Sequence, residues 1–130
     1  MTIVLTDEGE GVTQHSLDHL KEWLRIYHDL QLVELHIDSK GRTFNTEIFG
    51  ILPGNSYGRT DPDSCVILLS GLNCGYGGEG PHGLKTALEW LNKNKPYYDP
   101  FGEQLDLNDI IYHNTIVVDF RDAKQVIKAT

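Results

Sequence analysis

Alternating apolar and polar positions divide the first half of the chain into short strands. Residues 2–6 (TIVLT) predict a first strand. Residues 32–38 (LVELHID) alternate apolar with polar side chains, which is typical of a strand with one buried face. A turn at residues 39–42 follows, and residues 43–52 predict the antiparallel partner strand. The pattern therefore predicts a β-hairpin after the first helix.

The most continuous apolar stretch of the chain is CVILLSGL at residues 65–72. Turn residues bound it on both sides, and such a run is typical of a strand buried on both faces of a sheet. We expect it to be the central strand. A last strand is predicted at residues 110–120, where Ile116, Val117 and Val118 form a second buried run.

Two segments carry the apolar spacing of amphipathic helices. The first is predicted from a cap at Ser16 to about Leu30, and the second from Pro81, behind Gly80 as cap, to Lys93. In the first helix the apolar face is Leu17, Leu20, Trp23, Leu24, Tyr27 and Leu30. In the second it is Leu84, Ala87, Leu88 and Leu91.

The order of these elements predicts an α+β fold in a single globular domain, residues 1–130. We expect a mixed β-sheet of about five strands with two amphipathic helices packed on one face, in the order β-α-β-β-β-α-β. Both helical crossovers are long enough to join parallel strands. The other sheet face is then uncovered, and a homo-oligomer that uses it would also bury Phe49, Ile51 and Trp90.

Composition and charge narrow the classes of function. The chain has 130 residues, is 39% hydrophobic and carries a formal net charge of −8, which disfavours nucleic acids and anionic membranes as partners. No apolar run has the length of a membrane span, and no signal peptide is evident, so a cytoplasmic location is expected. Cys65 and Cys74 are too far apart along an extended strand to form a disulfide, which predicts free thiols.

Glycines cluster between the central strand and the second helix. They occupy positions 71, 75, 77, 78, 80 and 83, and the helix N-terminus that follows offers backbone N–H groups to an anion. A loop at residues 53–64 would add the charge of Arg59, unless Arg59 pairs with Asp61 or Asp63. The predicted ligand-binding residues are Arg59, Thr60, Asn73, Gly75, Tyr76, Gly77, Gly78, Gly80, His82 and Gly83. The alternative is that glycine is required at these positions because the backbone adopts positive φ angles or packs closely there.

The start of the chain offers a weaker metal pattern. His15 and His19 are spaced as two zinc ligands on one helical face, but His15 precedes the predicted cap at Ser16 and no third ligand is nearby. The acidic turn at residues 7–11 lacks the alternating oxygen ligands of a calcium loop, which favours a solvated turn. No metal site and no cofactor are therefore expected.

Three classes of function remain open. The first is a protein that binds a small phosphorylated ligand, such as a nucleotide or a cyclic nucleotide signal, and sequesters or senses it. The second is an acidic immunity or inhibitor protein that masks a toxin or nuclease, which predicts acidic side chains clustered on one face. The third is a small hydrolase or transferase with His82 as acid or base and Cys74 or Ser70 as nucleophile.

Overall fold

The structure is a computed structural model that describes residues 2–41, 43–54, 61–94, 105–121 and 126–129. Nine elements follow one another within these described residues. They are β1 (Thr2–Thr6), α1 (Thr13–Ile26), β2 (Gln31–Asp38), β3 (Thr46–Leu52), β4 (Asp63–Leu69), α2 (Glu79–Asn94), α3 (Leu107–Tyr112), β5 (Thr115–Asp119) and β6 (Val126–Ala129).

The strands form one six-stranded mixed sheet in the order β1-β4-β3-β2-β5-β6. β1 and β4 pair in parallel, with Thr2 opposite Ser64, and every other neighbouring pair is antiparallel. The predicted hairpin is confirmed as β2 and β3. The second crossover differs from its prediction, because β5 runs antiparallel to β2 and therefore opposite to β4.

The helices lie on one face of the sheet, as predicted. The apolar stripes of α1 and α2 meet the inward side chains of four strands in one continuous core. The inward strand residues are Leu35 and Ile37 of β2, Ile48 and Leu52 of β3, Cys65, Ile67 and Leu69 of β4, and Ile116 and Val118 of β5. Trp90, which a homo-oligomer would bury if it faced outward, lies on α2 and is partly buried against this core.

The opposite sheet face has no helix on it among the described residues. Val66 and Leu68 on that side of β4 are only half-buried, so the prediction of a strand buried on both faces was wrong. β4 is an interior strand, but it lies next to the edge strand β1 rather than at the centre. An antiparallel region of sheet tolerates such one-sided burial.

Several helix boundaries differ from the sequence prediction. α1 begins at Thr13, and Ser16 lies inside it with its side chain fully buried. α2 begins at Glu79, two residues before the predicted start at Pro81. The last strand was predicted from Ile110, but residues 107–112 form α3, because Asp106 and Asp109 make a reciprocal capping box that starts a helix. No helix in the described ranges is long and apolar enough to cross a bilayer.

Candidate functional site

Two strand-loop-helix corners meet at one edge of the sheet. The parallel strands β1 and β4 end side by side, and each continues through a glycine-bearing loop into a helix. We call residues 7–13 the first corner and residues 70–83 the second corner. The carboxyl ends of neighbouring parallel strands are the edge where open α/β sheets place their ligands.

Asp7 is the centre of the first corner. Its carboxylate is 6% exposed and accepts four hydrogen bonds. Oδ2 accepts from the Ser16 hydroxyl at 2.6 Å and from the Ser70 backbone N–H at 2.8 Å. Oδ1 accepts from the Gly9 N–H and the Ser70 hydroxyl, both at 2.9 Å. One carboxylate thus joins β1, α1 and the end of β4.

These contacts set the charge of Asp7. Burial by itself would raise its pKa, but the hydrogen bonds from Ser16, Ser70 and Gly9 favour the ionised form and together lower the pKa below 3.8. Ser16 links this network to the second corner, because its Oγ accepts a hydrogen bond from the Gly71 N–H at 2.8 Å. Neither role follows from the sequence, whose pattern predicts a solvated turn at residues 7–11 and a helix cap at Ser16.

Close packing explains two glycines of the second corner. A Cβ on Gly71 would lie 2.5 Å from the backbone carbonyl of Val12, and one on Gly83 would lie 2.2 Å from Cγ2 of Thr13. The Thr13 hydroxyl also donates to Gly71 O at 2.8 Å. Gly83 therefore packs against the first corner rather than facing a ligand. The two helix N-termini approach each other only because both positions lack side chains.

Three more glycines of the second corner have local structural reasons. Gly75 has φ +85°, and a Cβ there would lie 2.5 Å from Oδ1 of Asn114. A Cβ on Gly78 or on Gly80 would meet the Tyr76 side chain at 2.6 or 2.7 Å. Gly77 differs, because a Cβ at that position would have no atom within 4 Å and its φ is not positive.

Of the remaining predicted ligand residues, Asn73, Tyr76 and His82 lie in the second corner, where Asn73 and His82 bond to other residues of that corner. Asn73 donates its N–H to Gly80 O and accepts the Cys74 N–H on its side-chain oxygen. His82 is exposed, and its Nδ1 lies 2.8 Å from Gly78 O. Tyr76 is 48% exposed. The predicted partners Arg59 and Thr60 lie outside the described residues.

The groups predicted as nucleophiles occupy structural positions. Cys74 is fully buried, and burial, followed by the nearby charge of Asp38, raises the pKa of its thiol to about 11. A thiol with that pKa is protonated at neutral pH and is a poor nucleophile. The Ser70 hydroxyl donates to Asp7 and accepts the Gly11 N–H at 3.1 Å. Neither group is paired with His82 or another histidine in these contacts.

The uncovered side of the sheet forms a second candidate surface, which we call the open face. Its side chains follow the alternation and pairing register of five strands. They are Val4 of β1, Val66 and Leu68 of β4, Glu47, Phe49 and Ile51 of β3, Glu34, His36 and Asp38 of β2, and Val117 and Asp119 of β5. Val4 is 57% and Ile51 is 39% exposed.

The open face has an apolar half and an acidic half. Across one row, Val4, Val66 and Phe49 are direct neighbours, and the row continues into Glu34 and Asp119. In the next row, Leu68 is followed by Glu47, His36 and Val117. His36 Nε2 lies 2.8 Å from Glu34 Oε1, and the His36 ring meets Phe49 edge-on at 5.4 Å.

Comparison with known proteins does not assign a family. No family model, no curated protein and no solved structure matches the chain. A function for this chain has to be argued from its own residues, and the open face and the second corner are the two surfaces that bear on the predicted functions.

Proposed function

We propose that this chain binds a basic protein partner through the open face, in the manner of an acidic immunity or inhibitor protein. The observation that carries the proposal is the charge of the sheet. The five strands β1 to β5 contain no Lys or Arg, while Glu34, Asp38, Glu47 and Asp119 all lie on the open face. A surface of one sign attracts a partner of the other sign and speeds its association.

The strand register supports this reading of the acidic half. Glu34 and Asp119 are direct cross-strand partners on β2 and β5. Like charges placed opposite each other destabilise a sheet, so the arrangement costs the isolated domain some stability. The His36 ring contacts Glu34 at 2.8 Å, and strands β1 to β5 themselves contain no Lys or Arg to act as cations beside Glu47. Lys or Arg side chains of a partner would supply them.

The apolar half supplies contact area for the same partner. Phe49, Val66 and Leu68 are half-buried within the sheet, and Val4 is more than half exposed. Interfaces gain most of their affinity from a few buried apolar or aromatic side chains, while surrounding charges set the association rate and orientation. Phe49 adjoins both halves, which makes it the expected anchor of the interface.

A second copy of this chain fits the open face less well than a basic protein does. A two-fold dimer places the same patch on both sides of the interface. The carboxylates of the acidic half would then approach either each other or the apolar half of the other copy. Both arrangements bring Glu47 into an interface to which strands β1 to β5 contribute no Lys or Arg, and burying an unpaired charge costs on the order of several kcal/mol.

The test compares two charge reversals of equal size. Glu47→Lys changes the open face, and Glu89→Lys changes an exposed acid on α2 whose partner is Lys85. A protein captured on the immobilised wild-type chain from an extract of the source cells is purified, and its affinity for each variant is measured at low and high salt. We expect a basic partner whose affinity falls at least tenfold with Glu47→Lys and less than twofold with Glu89→Lys.

Two outcomes would contradict this function. Equal affinity of the purified partner for both variants would place the interface elsewhere. Self-association of the wild-type chain, weakened by Phe49→Ala and insensitive to any basic protein, would identify a second copy as the occupant. Sedimentation velocity of the wild type and of Phe49→Ala separates these cases, because it reports mass without requiring a partner.

A second candidate function is binding of a small phosphorylated ligand at the second corner. The observation that favours it is Gly77, the one loop glycine in this corner for which no packing or φ requirement is found. It lies beside the half-exposed Tyr76 ring and just before α2. Native mass spectrometry with mononucleotides, dinucleotides and cyclic nucleotides should show an adduct that Gly77→Val removes. An adduct that survives Gly77→Val, or no adduct, would reject this candidate.

A further inference from the structure

The observed start of α1 brings two histidines, His15 and His19, into the same helix. The sequence pattern predicts that His15 precedes the helix and that no third ligand is nearby, so it predicts no zinc site. In the structure α1 begins at Thr13, so His15 and His19 are both helical and lie one turn apart. Both line a surface concavity of about 250 Å³, together with Glu8, Asp18 and Glu22.

Carboxylates from the first corner complete a set of metal ligands. One ligand atom each from Glu8, Glu10 and His15 lies within 4.8 Å of the others. Nδ1 of His15 is 3.7 Å from Oε2 of Glu10. Ligands bound to one tetrahedral zinc ion, each at about 2.1 Å, lie about 3.4 Å apart. Small side-chain rotations would close the difference, and these three exposed side chains are free to make them.

The backbone beneath these ligands is held in place. Gly9 and Gly11, on either side of Glu10, have φ angles of +70° and +73°. The Gly9 N–H is bound to Asp7 and the Gly11 N–H to Ser70. The loop that carries Glu8 and Glu10 is therefore tied at both ends to the same buried carboxylate and serine that fix α1. Such preorganisation lowers the entropy lost on binding.

Contacts with other side chains decide which groups of this concavity are available to bind an ion. His19 stacks on Trp23 with ring centroids 5.1 Å apart, which leaves its ring nitrogens at the ring edge. The Gln14 amide donates to Asp18 at 2.8 Å, so Asp18 is already engaged. The favoured ligand set is therefore Glu8, Glu10 and His15, whose ligand atoms lie within 4.8 Å of one another. His19 lies outside that group but lines the same concavity as Glu8 and His15, and its side chain would have to rotate to become the fourth ligand.

We propose that Glu8, Glu10, His15 and His19 bind one divalent transition-metal ion of the zinc class at the junction of the first corner and α1. Imidazole and carboxylate ligands together favour zinc and similar transition-metal ions, whereas magnesium and calcium bind almost only oxygen ligands. This site is separate from the open face, so a test of metal binding does not depend on whether the chain binds the proposed protein partner.

The experiment is calorimetric titration of ZnCl₂ into tag-free, EDTA-treated protein, repeated with MgCl₂. We expect one zinc ion per chain and at least tenfold weaker binding of magnesium. His15→Gln should weaken zinc binding at least tenfold, and Glu10→Gln should also weaken it. His28→Gln is the matched control, because His28 is an exposed histidine outside the concavity, and it should change the affinity less than twofold.

A readout at the metal checks that the ligands are the proposed ones. Cobalt(II) in a four-coordinate nitrogen and oxygen site absorbs visible light strongly, and His19→Gln should reduce that absorption without changing the circular dichroism of the fold. Equal zinc affinity of His15→Gln and His28→Gln would overturn the proposal. Absence of zinc binding at millimolar metal would overturn it as well.

Discussion

The two corners look alike in sequence and differ in what their residues do. Each follows one of two paired parallel strands, contains several glycines and leads into a helix. In the second corner, the glycines let backbone and side chains approach closely, and Gly77 alone lacks that role. In the first corner, a buried carboxylate organises the backbone, and charged side chains remain outside. The high density of glycines in the second corner therefore reflects close packing. The network of polar hydrogen bonds lies instead in the shorter acidic turn of the first corner.

Removing the Asp7 side chain is the strongest way to test this difference. Asp7→Ala leaves the Ser16 and Ser70 hydroxyls and two backbone N–H groups without their acceptor. We expect a loss of about 3–5 kcal/mol in the free energy of unfolding, measured by urea denaturation. Glu8→Ala, the exposed neighbour, should change it by less than about 0.5 kcal/mol. Similar losses for both variants would remove Asp7 from its central role.

The close approach of the two corners is tested by adding one methyl group. Gly71→Ala places a Cβ 2.5 Å from the Val12 carbonyl, and backbone atoms on both sides must shift to accept it. We expect a loss of about 1–3 kcal/mol in the free energy of unfolding, typical of overpacking. A variant as stable as the wild type would show that the contact between α1 and the second corner adjusts freely.

Acid titration probes the same network with a smaller effect, because a protonated carboxyl keeps its oxygen atoms in place. The pKa of Asp7 is lowered on folding, so its ionised form stabilises the native state fully above pH 3.8. That contribution is lost as the pH falls through the lower folded pKa. In Asp7→Asn this loss is absent. The difference in the free energy of unfolding between the wild type and Asp7→Asn should therefore become smaller below pH 3.8. A gap that widens there would contradict the lowered pKa.

The smallest effect is expected at Gly77. Gly77→Ala meets open space at a φ that other residues adopt, so the free energy of unfolding should stay the same or rise by up to about 1 kcal/mol. Thermal melting of Gly77→Ala beside Gly71→Ala would measure the difference within one loop. A loss above about 1 kcal/mol would show that Gly77 is also required by the fold, and would weaken the ligand-binding candidate.

Local patterns predicted the elements well and their arrangement only in part. The alternation in β2 and the apolar stripes of both helices follow from local periodicity, so the α+β class could be read directly. Strand direction could not, because the run at Ile116 to Val118 reads the same whether it pairs in parallel or antiparallel. The boundary at Ser16 was wrong because its tertiary partners, Asp7 and Gly71, are distant in sequence and outweigh its local preference for a cap.

The candidate sites were harder to predict for a related reason. A glycine needed for close contact cannot be told from one needed for a ligand until the contacting atoms are known, as Gly71 and Gly77 show. The histidine pair is recognisable by spacing, but the predicted cap at Ser16 leaves His15 outside a helix that in fact begins at Thr13. The carboxylates of Glu8 and Glu10 come near His15 only in the folded chain. The acidic half of the open face required the register of three strands, which no single segment contains.

The pairing of β1 with β4 has a consequence for how the chain assembles. β2, β3 and β4 follow one another and pair as antiparallel neighbours, so each of these pairings brings together segments that are close in sequence. β1 must wait for a strand whose first paired residue, Ser64, lies 62 residues after Thr2. We expect β1 to join after β2, β3 and β4 have paired, so that backbone amides of Ile3 to Leu5 gain protection later than those of these three strands in pulsed hydrogen exchange. During synthesis, the first strand to leave the ribosome would therefore pair only after three later strands have formed.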